Sequence, residues 1–343
     1  MSVSIVVGGQ YGSEGKGKVA YFWADKMNAA AVVRVGGSNS GHTVYGQNNE
    51  LYAFRMLPTA SILKDKVVVL PAGAYLDVSV LMDEIRLTGI SHDRLKIDFN
   101  AAIITEEHKG RERAWLLRAE IGSTQSGTGA AVMDRVLRSK SHRIMMAKDV
   151  PELQPFLTDT KVYMRRLLSE GKHIIIEGTQ GYGLSNYHTK DYPYATSRDT
   201  TAAGFLAETG LSPFDVEHIV MVIRAFPIRV AGESGPLEDE IDWKRVSQES
   251  GSSKYFEEKT TVTHMVRRVA RFTPDIVKQA LSVNRPDVIV LNHMDYIDAF
   301  NKNGQKLSSK QELFLSEVEK QIGRSVNFCG NGEMNMICVG KNG

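Results

Sequence analysis

Cysteine is nearly absent from this chain: Cys329 and Cys338 are the only two in 343 residues, and their spacing does not suit a metal site. This argues against a disulfide framework, and a reducing compartment is expected. Long apolar runs are missing as well. No stretch reaches the ~20 residues that span a bilayer, and the opening MSVSIVVGG enters a strand-like run without a basic leader. The expected location is cytoplasmic, in the host cytoplasm if the chain is viral. Nor is either charge in surplus, with 42 Lys plus Arg against 40 Asp plus Glu. That balance gives no electrostatic reason for a nucleic-acid or membrane partner. Internal repeats and low-complexity segments are also lacking.

What is present is an alternation of short β-branched runs with amphipathic stretches. Strands are expected at Val3–Val7, Ala31–Val35, Val67–Leu70, His173–Glu177, His218–Arg224 and Val288–Leu291. Helices are expected over Lys16–Met27, Val78–Leu87, Thr158–Glu170, Thr200–Thr209 and Lys310–Ile322. The pattern predicts an α/β fold with a largely parallel central sheet flanked by helices. Near-continuous apolar strands such as VIVL fit burial on both faces. Residues 231–240 and 247–258, rich in Gly, Ser and Glu, read as long loop insertions. One domain over 1–343 is expected.

Two glycine clusters directly follow strands. In GGQYGSEGKGK (8–18), Gly12 and Gly17-Lys18 have the G-x-x-x-x-G-K spacing of a P-loop, but Val19 replaces the Ser or Thr that would hold Mg²⁺. The glycines let backbone N–H groups approach phosphate oxygens, and the following helix offers its positive end. Lys16 or Lys18 can add a point charge. A ligand-free strand–helix turn would look the same. The second cluster, GGSNSGHT (36–43), would face the same crevice, where open α/β sheets bind ligands. His42 could there project toward a transferred phosphoryl group, although a lone loop histidine is more often simply exposed.

GGQYGSEGKGK, GGSNSGHT, IGSTQSGTG (121–129), DRVLRS (134–139), EGTQG (177–181) and DYPYATSRDTTAAG (191–204) together closely resemble the adenylosuccinate synthetase family. The resemblance spans most of the chain and weakens after Pro227. It implies a P-loop-like NTPase fold and a ligase that phosphorylates O6 of a 6-oxopurine monophosphate, after which L-aspartate displaces the phosphate. The family places an aspartate where Ser13 stands. That carboxylate removes the purine N1 proton and helps hold Mg²⁺. A hydroxyl is far too weak an acid to do the same at neutral pH. It is shorter and uncharged, and it leaves room for a 2-amino group beside N1. The substitution resembles the phage branch of the family, the 2-aminoadenylosuccinate synthases, which act on dGMP on the route to 2-aminoadenine DNA. An ordinary synthetase with a displaced base, and a degenerate nucleotide-binding homologue, stay open. So does the N1 base, which could be Glu14, a water held by Ser13, or the transferring phosphate.

By the same resemblance, Ser13, His42 and Gln180 are the catalytic group. Ser13, Gly15, Lys16, Gly17, Gly41, His42 and Thr43 would hold the triphosphate, with Asn292, Asp295 and Gly330 near its base. LNHMD (291–295) is similar to the family's guanine-reading element, with His293 in place of a stacking lysine. The donor is ATP or dATP by likeness to the phage branch; GTP stays open. Ser13, Asn39, Thr124, Arg138, Gln180 and Thr196 match the dGMP positions, Arg138 being donated across a homodimer interface. Val262, Thr263 and Arg267 match the L-aspartate loop, in which Met265 replaces an arginine that reaches the ribose. Ser13 and the Gly41 carbonyl match the protein share of the Mg²⁺ shell.

Overall fold

The computed structural model describes residues 2–46, 48–141, 143–260 and 264–340. Its largest element is a ten-stranded sheet. In chain order the strands are β1 (Ser2–Gly8), β2 (Ala31–Arg34), β3 (Val67–Leu70), β4 (Leu95–Asp98), β5 (Leu157–Thr158), β6 (His173–Glu177), β7 (Val216–Arg224), β8 (Val288–Asn292), β9 (Phe328–Gly330) and β10 (Met336–Cys338). They lie in the order β10-β9-β8-β7-β1-β6-β2-β3-β4-β5. Every pairing is parallel except the last hairpin, β9 with β10. All six strands expected from the sequence are present, and so are the five expected helices.

The apolar strands are continuous because both faces are covered. On β1, Val6 packs into one buried cluster with Trp23 and Val220. Val3, Ile5 and Val7 point the other way, into a cluster with Phe205 and Met221. This alternation fixes register, since a slip of one residue would exchange the two faces. Register in turn aligns the strand ends: Glu177 pairs with Arg34, and Arg224 with Asn292. Four charged or amide side chains therefore sit at the carboxyl ends of strands that neighbour the glycine loop.

The segment 231–258 is not all loop. Trp243–Ser250 is a helix, capped by Asp242 accepting from the Arg245 amide at 2.7 Å. Glu240–Ile241 joins a small antiparallel sheet with Ile228–Arg229 and Arg268–Ala270. Trp243 and Val246 pack there with Phe226 and Val269. The serines obscured this in the sequence. Buried Ser247 bonds the Trp243 carbonyl and the Phe256 amide, so it is part of the packing. Among the described residues no helix is long and apolar enough to cross a membrane.

Candidate active site

A cavity of about 440 Å³ opens beside the end of β1, within the range of small-molecule sites. Its floor is the loop between β1 and the helix Lys16–Lys26. Gly15 caps that helix in the left-handed region (φ 85°), and no side chain caps its first turn. The first-turn amides are thus available to an anion.

Glu14 builds the loop from inside. Fully buried, it accepts from the Gln10 amide at 3.1 Å, the Gly12 amide at 2.8 Å and the Lys16 ammonium at 2.6 Å. A Cβ on Gly181 would lie 2.4 Å from its carboxylate, so that glycine is required by close approach. With both oxygens committed, Glu14 is a scaffold and not a base for a substrate. Glu14→Gln should destabilise the chain by about 3–5 kcal/mol, because Lys16 would keep its charge without its partner. Chemical denaturation would check this, and a loss under 1 kcal/mol would contradict the assignment. Of the two loop lysines, Lys16 lines the cavity. Lys18 is buried behind it, donating to the Gly332 carbonyl at 2.8 Å, and burial pushes its ammonium down to about 8.

His42 forms the opposite wall with two charged strand ends. Its Nδ1 lies 2.5 Å from Glu177 Oε1 and 2.6 Å from the Arg34 guanidinium. Glu177 also accepts from Thr59 through its amide at 2.8 Å and its hydroxyl at 2.7 Å. Burial, followed by Arg34, pushes the imidazole down to about 4. Burial would raise Glu177, but His42, Arg34 and Thr59 together hold it below the usual carboxylate range. The ring is therefore held in its neutral form. An anion in the cavity would oppose the repulsion from Arg34 and favour the imidazolium, with Nδ1–H on Glu177 and Nε2, now 3.2 Å from Arg34, turned into a donor to the anion.

Ser13 sits between these walls, half-buried, with a positive φ of 54°. Arg224 donates to its carbonyl at 2.8 Å and Arg267 to its Oγ at 2.7 Å. Arg224 is fully buried and also grips Glu258, which accepts from Tyr296 at 2.9 Å. Burial would raise the Glu258 carboxyl, but Arg224 leads the cations that outweigh it and hold it at about 2. On the far side, Asn39 donates to Thr196 at 3.3 Å, and Thr124 shares a 2.6 Å hydrogen bond with Ser126. Buried Glu112 accepts from the Gly127, Gly129 and Ala130 amides at 2.8, 2.7 and 3.3 Å and so shapes this loop.

The expected residues Ser13, Gly15, Lys16, Gly17, Asn39, Gly41, His42, Thr43, Thr124, Gln180, Thr196 and Arg267 all line this one cavity, and so does Met265. Asn292, Asp295 and Gly330 do not. Asn292 donates to the Glu14 carbonyl at 2.8 Å and so buttresses the loop from behind, while Asp295 accepts at 3.2 Å from the amide of Gly332, whose carbonyl takes Lys18. Arg138 is exposed at the end of the helix Thr128–Leu137, away from the cavity. Val262 and Thr263 lie outside the described residues. Arg34, Glu177, Arg224, Glu258 and Glu112 were not assigned roles from the sequence. The available signal was a charge ending an apolar strand, as in AVVR, HIIIE and VMVIR.

The chain is similar along its length to known proteins. The adenylosuccinate synthetase family profile matches residues 5–151 and 144–304. Adenylosuccinate synthetase of Methanocaldococcus jannaschii is 36% identical over 97% of this chain and 94% of its own. That of Thermococcus onnurineus is 37% identical over 96% and 95%. Among solved structures, the succinoaminodeoxyadenylate synthetase (PurZ) of cyanophage S-2L, bound to dGMP and dATP as an energy donor, superimposes with a TM-score of 0.81 at 26% identity, covering 98% of this chain and 95% of that one. Fully ligated adenylosuccinate synthetase from Plasmodium falciparum has the same fold, with a TM-score of 0.84 at 20% identity over 98% and 100%. With its glycine loop, its histidine wall and its ten-stranded sheet all accounted for, the chain belongs to the adenylosuccinate synthetase family.

Proposed function

We propose that this ligase condenses dGMP with L-aspartate, driven by ATP or dATP, through a 6-phosphoryl purine. The product would be 2-amino-2′-deoxy-N6-succinyladenylate, for 2-aminoadenine DNA. The observation that carries the reading is Ser13 on the cavity wall, its Oγ held by Arg267 at 2.7 Å. A carboxylate at that point would crowd the amino group on C2 of guanine, whereas the hydroxyl leaves room. Met265, also on the wall, offers no donor to a ribose 2′-hydroxyl, which suits a deoxynucleotide. Likeness to the cyanophage enzyme with dGMP and dATP supports the same substrates.

In this reading Lys16 and the loop amides receive the triphosphate, and His42, oriented by Glu177, donates to the charge that develops on the transferred group. Asn39, Thr124, Gln180 and Thr196 hold the mononucleotide. Arg267, with Val262 and Thr263, receives L-aspartate. Arg138 completes the phosphate site of the partner in a homodimer. Met133, Val136 and Leu137, exposed on the same helix, supply the apolar surface for that contact. Magnesium fits poorly as a resident ion. Among the described residues no three His, Cys, Asp or Glu side chains gather for a metal. Ser13 Oγ already accepts from a cation, and Glu14 is committed. The Gly41 carbonyl is left as the expected protein ligand to an ion that arrives with the triphosphate.

A second reading, an ordinary adenylosuccinate synthetase using IMP and GTP, is favoured by the identity to the archaeal relatives, which exceeds that to the cyanophage enzyme. A crossed assay separates the two. The purified chain is given L-aspartate with dGMP, GMP or IMP against ATP, dATP or GTP, and phosphate release and adduct mass are followed. Turnover of dGMP with ATP or dATP is expected. Use of IMP alone would establish the second reading, and binding without phosphate release would mark an inactive homologue.

A further inference from the structure

A guanidinium has donors only, so in the 2.7 Å contact between Arg267 and Ser13 the serine Oγ must be the acceptor. Its own proton then points elsewhere, and no acceptor among the described residues takes it. Ser13 lines the cavity, so the hydroxyl is directed at whatever binds there. The backbone is fixed as well, by Arg224 on the Ser13 carbonyl at 2.8 Å. Two guanidinium groups thus hold this cavity-lining residue.

The other titratable groups around this point do not provide a base. Glu14 is enclosed by two loop amides and Lys16. Glu258 is bound by Arg224 and Tyr296. Burial, followed by Arg224 and Lys18, keeps His293 down at about 3 against the opposing pull of Glu258. Tyr296 is buried and holds its own proton on Glu258. Arg224 is balanced by Glu258, and Arg267, bonded to Ser13 Oγ, is the cation at this point that favours negative charge on a ligand.

We infer that Arg267 is a positioning residue that makes the Ser13 hydroxyl a hydrogen-bond donor to the purine 6-oxygen, so the site stabilises the N1-deprotonated purine electrostatically and not through a side-chain base. This rests on the ligase reading above. The N1 proton passes to solvent hydroxide, giving water, and the negative charge spreads over N1, C6 and O6. O6 forms its bond to the γ-phosphorus while the bond from that phosphorus to the bridging oxygen breaks, and the nucleoside diphosphate leaves with the electron pair. Ser13 keeps its proton throughout.

The test is the pH dependence of kcat at saturating L-aspartate, from neutral to alkaline pH. In the native chain kcat should rise with pH and then level off. In Arg267→Gln the rising limb should move at least about one pH unit higher, a loss of about tenfold at neutral pH, and Arg267→Lys should restore part of it. Ser13→Ala should move the limb the same way, which keeps the test open if Arg267→Gln does not fold. A raised KM for L-aspartate with the limb unmoved would reduce Arg267 to an aspartate ligand and overturn the inference. A pH-independent kcat in the native chain would do so too. If the native chain uses IMP and not dGMP, the substrate reading fails, yet the same series run with IMP still decides this one, because the 6-oxo edge is shared.

Discussion

Replacing His42 with asparagine is expected to lower kcat by about 10²- to 10³-fold, the usual loss when one donor to a developing anion is removed. Mononucleotide KM should change far less, since Asn39, Thr124 and Thr196 lie on the other wall of the cavity. The argument starts from β6 and β2, whose registered ends bring Glu177 and Arg34 together. Both hold one side of the imidazole, within 2.6 Å of Nδ1. Arg34 also reaches Nε2, at 3.2 Å, so a group transferred at that nitrogen would sit beside a guanidinium. Asparagine keeps a polar side chain but cannot take up the added proton that an incoming phosphoryl anion favours. Glu177 would retain Arg34 and Thr59, so the variant should stay folded, and a thermal melt would verify this. Single-turnover phosphoryl transfer is the deciding measurement. A rate within tenfold of the native one would remove His42 from the chemistry.

Ser13→Asp should invert the preference between purines. Relative to the native chain, the ratio of kcat/KM for dGMP over IMP should fall on the order of 10²-fold, as expected when a polar group is left facing a mismatched one. The main chain would tolerate the change, since φ at this position is 54° and Asp enters that region more readily than most residues. The new carboxylate would meet Arg267, now 2.7 Å from Oγ, and form an ion pair with it. It would also restore an acceptor for the N1 proton of a purine that lacks a 2-amino group. Competition between the two nucleotides in one assay measures the ratio directly. An unchanged ratio would mean that residue 13 does not read the C2 edge.

The sheet was legible because its strands are buried on both faces, and such runs stand out in any sequence. The first loop was legible because close backbone approach demands glycine. The network around Ser13 was not. Arg267 lies 254 residues away and Arg224 lies 211 residues away, and no local pattern encodes such pairings. Arg34, Glu177 and Arg224 read as ordinary strand ends until the register set Glu177 beside Arg34 and Arg224 beside Asn292. The two-residue strand Leu157–Thr158 is too short to carry any periodicity. Glu14 was the opposite case. Its position invited a chemical role, and the structure gives it an architectural one.

Glu112 has a similar meaning for how a mononucleotide is captured. The nest of main-chain donors at the start of Thr128–Leu137 is filled from within by this carboxylate. An arriving 5′-phosphate cannot use those donors, which leaves it the hydroxyls and, in the homodimer proposed above, the Arg138 guanidinium of a second subunit. Grip on the nucleotide should therefore slacken on dilution, so that specific activity falls as the protein is thinned below its self-association constant.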